Sequence, residues 1–297
     1  MIDEGRVEEF ARIVRRLRYQ PISFDNLELF PEPDGFIYPN YIFFMVAIDH
    51  RTGFDDVDFK YHGSDLLFYL ARKKQAEAPD FFTAKNLVKV NIGELRRVFT
   101  FEGKEVSRLE ERVYLLRDCA KKLLEIYQGD FMNLLHRSGF RAERIRERLK
   151  MFRAYEDPLM KKSFLLLKIL KRQGFGIEGR FEFPVDSVLV RLAISSRIIK
   201  PEKEVMKKIE AGVMLDEKET ELLRRQTQKA LLMVSEKAGV EPDVLDDVLW
   251  TYGRELDAEN IKTPLDERVD ESALRDFVGL VREGLVRKIK FPSSWYF

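Results

Sequence analysis

Apolar residues at helical spacing, broken at intervals by proline and glycine, constrain this chain more than any other feature. Between residues 105 and 127, Val106, Leu109, Val113, Leu116, Ala120, Leu123 and Leu124 fall on one face of a 3.6-residue turn. Gly129 ends that segment. The pattern continues, and helices are expected over 141–153, 158–172, 186–199, 202–211, 216–238, 242–256 and 271–286. Pro158, Pro201 and Pro242 stand where helices begin, in the first turn where a missing N–H is tolerated. A first helix is expected over Glu4–Leu17, with Val7, Phe10, Ile13, Val14 and Leu17 on its apolar face. Helices apolar on one side, with no internal repeat, must bury those sides against one another. The expected fold is therefore mainly α, a helical bundle.

The early part of the chain differs. Residues 20–44 carry Pro21, Pro31, Pro33 and Pro39 among the aromatics Phe24, Phe30, Phe36, Tyr38, Tyr41, Phe43 and Phe44. Val57, Phe59 and Tyr61 alternate with polar residues and predict a short strand. Gly63-Ser64 predicts a helix start, running through Arg72, and Asn91 a second one running through Val98. These signals suggest a small N-terminal α+β lobe over 1–100 and a helical domain over 101–297, packed as one unit.

At 297 residues and 45% hydrophobic, the chain can bury a sizeable core. No apolar run approaches the ~18 residues of a membrane helix, and the acidic-then-basic start is no secretory signal. A soluble, cytoplasmic protein is expected, with no membrane partner. Charged residues make up 35% of the chain but nearly cancel, at a net charge of +1, which weakens the case for a dedicated duplex-DNA binder. The single cysteine, Cys119, excludes an intrachain disulfide framework and a four-cysteine iron–sulfur cluster. Abundant Lys, Arg and Glu suits a thermophile.

Several motifs can be set aside. Gly174-Phe175-Gly176-Ile177-Glu178-Gly179 has dinucleotide-fingerprint spacing but follows a basic helix end instead of a strand, so a loop is expected. His50, His62 and His136 lack zinc-ligand spacing, and neither a metal nor another cofactor is expected. Asp55, Asp56 and Asp58 suit a solvated turn, and Cys119 a buried, inert thiol. No G-x-S-x-G is present.

What remains is Lys161-Lys162 opening a leucine-rich helix, followed about two dozen residues later by Pro184-Val185-Asp186 opening another. Two lysines on a helix are ordinarily solvated, and an Asp at a helix start is ordinarily its cap. A Lys on one helix and an Asp starting the next can instead converge on one pocket.

This order and spacing resemble the helix-hairpin-helix base-excision glycosylases, in which a Lys and an Asp act on an N-glycosidic bond. Leu135–Ile145, with Ser138-Gly139-Phe140-Arg141, looks like the segment before the glycosylase hairpin. Glu241–Trp250 is similar to the closing helix of archaeal 8-oxoguanine glycosylases, and Lys161 falls at the place of their catalytic Lys. The queuosine-salvage proteins, nucleotide N-glycosidases on the same helical scaffold, are matched over more of the chain. Tyr61-His62-Gly63, Phe81-Phe82-Thr83, Leu95–Phe99, Leu109–Arg112, Gly129–Leu134, Lys161-Lys162, Asp186, Pro201–Leu231 and Trp295-Tyr296-Phe297 follow that family's order, across roughly residues 40–297. The departures are two. Ile48–Phe54 stands where that family has Asn-Phe-x-Phe-Trp, and Ser187–Val190 reads more like the DNA enzymes.

The resemblance implies a mainly α, glycosylase-like bundle and a hydrolase acting on an N-glycosyl bond. It implies Asp186 as the carboxylate facing the sugar, and Lys161 as either a phosphate ligand or a Schiff-base amine. Asp49, His50, Phe44 and Phe54 are the candidates for base recognition, with Arg191 and Trp250 as further substrate contacts. The alternatives are a core Phe44, a polar turn at Asp49-His50-Arg51, a solvated Arg191 and a core Trp250. Residues 150–163 hold no glycine, so the phosphate-gripping hairpin of the DNA enzymes is missing. The expected partner is a small modified nucleotide or nucleoside of the 7-deazaguanine type in preference to duplex DNA. Excision of damaged purines from DNA and inactive nucleotide binding are the alternatives.

Overall fold

The computed structural model describes residues 1–18, 21–254 and 270–296. In chain order the helices are α1 (Glu4–Leu17), α2 (Ile37–Ile48), α3 (Gly63–Glu77), α4 (Ala84–Leu87), α5 (Ile92–Val98), α6 (Leu109–Tyr127), α7 (Phe131–Arg137), α8 (Ala142–Leu149), α9 (Lys161–Arg172), α10 (Ser187–Ser195), α11 (Lys203–Ala211), α12 (Glu217–Ala238), α13 (Pro242–Gly253) and α14 (Glu271–Arg282). Sheet among the described residues amounts to one antiparallel hairpin, β1 (Thr100–Phe101) with β2 (Lys104–Glu105). The expected mainly α fold is borne out.

The chain forms two compact units, Met1–Ile22 with Phe181–Ser294 and Ser23–Arg180 with Trp295–Phe297. This differs from the division expected at residue 100, because α2 packs with α6, α7 and α9 and keeps residues up to Arg180 in one unit, while the other unit takes in α1. Its apolar face of Val7, Phe10, Ala11, Val14 and Leu17 packs on α12 and α14, far along the chain. Phe10 meets Phe277 at 5.6 Å between ring centroids. Asp3 caps α1 through the Arg6 amide and pairs with Lys200 at 2.6 Å.

In the first unit, α10 lies among α12, α13 and α14. The approach of α13 to α10 depends on Gly253, where a Cβ would stand 2.6 Å from Val188 Cγ1. In the second unit, α2 is the central element, packed by α6, α7 and α9. Every residue from Tyr38 to Ile48 is buried, so α2 has no polar face and no amphipathic period to read in the sequence. Phe43 is stacked between Phe131 and Tyr155, at 4.6 and 5.4 Å, and the Tyr155 hydroxyl donates to the Phe43 carbonyl at 2.5 Å.

The strand expected at Val57–Tyr61 is not formed. Residues 58–60 form a bend, and Phe59, Tyr61, Tyr69 and Phe101 gather into a ring cluster. The alternation there reflects packing on α3 and the hairpin without ladder bonds. Val106 precedes α6, bonded through its amide to the Phe99 carbonyl at 2.9 Å. The expected helix 141–153 ends at Leu149, and a 3₁₀ turn at Arg153–Tyr155 follows. Gly174–Gly179 is a loop, as expected, held by Glu178 bonding to Phe140 and Ala142. Residues 255 and 256 of the helix expected over 242–256, and Phe297, lie outside the described residues.

Candidate active site

In the second unit the site candidates gather around the C-terminal end of α2. That helix end leaves carbonyls without helical partners, and Arg112 of α6 supplies donors for them. Its fully buried guanidinium donates to the carbonyls of Ile48, His50, Arg51 and Ser107. Burial pushes its pKa down to about 10. His50 follows directly and is almost wholly enclosed. Burial, and then the charges of Lys162 and Arg112, push its pKa far below the usual histidine range, so the imidazole is neutral. Its Nε2 lies 2.8 Å from Glu111 Oε1 and its Nδ1 lies 3.2 Å from Lys162 Nζ. A carboxylate only accepts, which assigns the proton to Nε2 and leaves Nδ1 to accept from Lys162.

Lys161 and Lys162 begin α9, where Asp157 bonds the Leu159 and Lys161 amides at 3.2 and 3.0 Å. Adjacent residues on a helix point about 100° apart, and the two side chains have different surroundings. Lys162 is fully buried and donates to the Ala47 carbonyl at 2.6 Å as well as to His50. Burial, then the neighbouring Lys161 charge, holds its pKa well below the ordinary lysine value. Lys161 is buried over nine-tenths of its surface, and its Nζ has no hydrogen-bond or ion-pair partner among the described residues. Asp49 accepts from the Ser64 hydroxyl at 2.6 Å. Phe44 and Phe54 are fully buried.

In the first unit Asp186 is the N-cap of α10, accepting from the Leu189 amide on Oδ1 at 3.0 Å. Its other oxygen accepts from the Trp250 indole N–H at 3.2 Å. The backbone leading to it is held from α12. Arg224 donates twice to the Val185 carbonyl, at 3.2 and 3.0 Å, and Gln228 to the Phe183 carbonyl at 3.3 Å. Arg191 is buried and donates to the Val286 carbonyl at 2.8 Å. Trp250 is partly exposed, with the Arg254 guanidinium 4.0 Å from its ring centroid.

The structure thus brings together Asp49, His50, Lys161 and Lys162 in one unit and Asp186 and Trp250 in the other. Sequence reasoning missed the roles of Lys162, Glu111 and Arg112 around His50. The only signal was that Leu109–Arg112 belongs to the run of residues with a family resemblance. Arg224 and Gln228 behind Asp186 carried no signal beyond their place in an amphipathic helix. Among the described residues no group of three or more His, Cys, Asp and Glu side chains is placed to hold a metal ion. Nor is any described helix long and apolar enough to cross a membrane.

The composition of the second unit has a counterpart among known proteins. The chain matches the queuosine salvage protein family over residues 40–173. The queuosine-salvage match includes Asp49, His50, Arg112, Lys161 and Lys162 and stops short of Asp186, Arg191 and Trp250. No curated protein matches the chain. Among solved structures, the 8-oxoguanine DNA glycosylase from Pyrobaculum aerophilum, in complex with 8-oxoguanosine, is similar with a TM-score of 0.56. The likeness spans 98% of this chain and 100% of that one at 16% identity, and is one of fold. Both resemblances drawn from the sequence, to queuosine salvage proteins and to the archaeal glycosylases, are therefore supported.

Proposed function

We propose that the protein hydrolyses the bond between base and ribose in a modified nucleoside 5′-monophosphate of the queuosine type, releasing the 7-deazaguanine base for salvage. The observation that carries this reading is the Asp186 carboxylate, fixed at a helix start by one donor on each oxygen. The match of residues 40–173 to queuosine salvage proteins supplies the substrate class. As the C1′–N bond breaks, its electron pair goes to the base, which takes up a proton, and positive charge develops on the ribose. An ionised carboxylate stabilises that charge and accepts the proton of the water that adds to C1′. The products are the free base and ribose 5-phosphate.

Lys161, without a partner among the described residues, is assigned the 5′-phosphate. Asp49, Phe44, Phe54 and Arg191 remain the candidate substrate contacts, with His50 acting through its bonds to Glu111 and Lys162. A second reading, excision of damaged purines from DNA, is favoured by the fold likeness to the 8-oxoguanine enzyme. Mass spectrometry of base release separates them. Purified protein is given queuosine 5′-monophosphate, the bare nucleoside, or duplex DNA carrying 8-oxoguanine. Queuine release lost in Asp186→Asn supports the proposal. Release of 8-oxoguanine, with a borohydride-trapped adduct on Lys161, replaces it with the second reading, and silence from all three refutes both.

A further inference from the structure

Asp186 has two holders, and only one of them is the ordinary helix-capping amide. Capping needs a single oxygen, which the Leu189 amide takes. The second oxygen receives the Trp250 indole N–H from a different helix, α13. Donors on both oxygens, from two directions, fix the plane of the carboxylate as well as its position. A charge-assisted hydrogen bond of this kind is stronger than a neutral one.

Three other features converge on this bond. Arg254, one turn after Trp250 on the same helix face, sets its guanidinium carbon 4.0 Å from the indole centroid. A cation over the ring holds its plane and draws electron density from it, which strengthens the N–H as a donor. Gly253 lets α13 approach α10 closely enough, since a Cβ there would stand 2.6 Å from Val188. Arg224 holds the Val185 carbonyl immediately before Asp186, so the backbone cannot shift to relax the bond.

We infer that Trp250 is a positioning residue: its indole N–H orients the Asp186 carboxylate toward the developing sugar cation, and so sets the rate of bond cleavage without setting substrate affinity. This rests on the reading of Asp186 as the carboxylate that faces the sugar. A packing role for Trp250 would need the ring and not the N–H. Two substitutions separate these. Trp250→Phe keeps a ring and lacks the donor. Trp250→His loses ring area, but its Nε2–H falls near the place of the indole N–H.

The experiment measures kcat and KM for queuosine 5′-monophosphate, together with the two indole ¹⁵N–H resonances of Trp250 and Trp295, the chain's 2 tryptophans. Trp250→Phe is expected to lower kcat about ten- to a hundredfold, the rate equivalent of a hydrogen bond to a charged group, with KM unchanged. Trp250→His is expected to recover part of that loss. The reverse order, with the Phe variant near normal and the His variant worse, overturns the inference. In Asp186→Asn an amide NH₂ can face the indole, so the Trp250 resonance should move while that of Trp295 stays. An unmoved resonance overturns the clamp whatever turnover shows. A dead Asp186→Asn beside a normal Trp250→Phe overturns the clamp alone. An active Asp186→Asn overturns the proposed function, and the inference with it.

Discussion

Replacing Lys162 with methionine removes a buried amine while keeping the length of its stem. In the folded protein that amine donates to the Ala47 carbonyl and to His50 Nδ1, both neutral, and pairs with no carboxylate among the described residues. Burial and the nearby Lys161 and Arg112 charges hold its pKa well below the ordinary value. In the unfolded chain it returns to about 10.4. Between those two values the unfolded state binds a proton that the folded state does not. A group with a depressed folded pKa contributes stability above its unfolded pKa and loses it as pH falls. The slope is about 1.4 kcal/mol per pH unit wherever the pH lies between the folded and unfolded values, so there the unfolding free energy rises with pH. Cys119, its thiol pushed up by burial, would add the opposite slope at higher pH. Urea denaturation of the unaltered protein and of Lys162→Met at several pH values across the window provides the measurement. The difference between the two should widen as pH rises toward the unfolded value, by about 1.4 kcal/mol per unit. Parallel pH dependences would mean that Lys162 stays charged when folded, and would refute the reading of the cluster.

Three other outcomes are expected. Asp186→Asn should abolish base release with a melting temperature little changed, because Asn caps a helix as well as Asp does, whereas Asp186→Ala should also cost about 1 kcal/mol in denaturant unfolding. His50, held neutral by burial, should make stability fall by about 1.4 kcal/mol per unit as pH drops below about 6.5, and His50→Gln should flatten that limb of the stability–pH curve. Gly253→Ala should destabilise by about 1–3 kcal/mol through overlap with Val188, seen in thermal melts, and should lower turnover by moving Trp250 away from Asp186.

Most of the helical architecture was legible because it rests on local chemistry. Glu4–Leu17 forms the helix expected of it, Asn91 caps α5 with a reciprocal Glu94 bond, and Pro242 stands at the first position of α13. Caps and apolar stripes act within a few residues and can be read one segment at a time. Elements without such signals were missed or misread. Residues 37–48 are apolar on all sides, because α2 is enclosed by α6, α7 and α9, so no period marks them. Val57–Tyr61 alternates like a strand although no partner strand exists for it among the described residues. The site was legible in its residue types and not in its roles. Lys161 and Lys162 look equivalent as neighbours, yet one meets His50 and Ala47 and the other no described partner.

The sequence by itself determined where most helices start and stop, that most must bury one face, and that a Lys–Lys helix precedes an Asp-capped one. Only the tertiary structure decided that the first helix joins the C-terminal half, that Arg112 closes the end of α2, that Lys162 lies buried against a neutral histidine, and that an indole donates to the second oxygen of Asp186. The physical reason is range. Capping and periodicity act over a turn or two of chain. Burial of an amine and pairing of a carboxylate depend on groups 64 to 112 residues away, which no local pattern records.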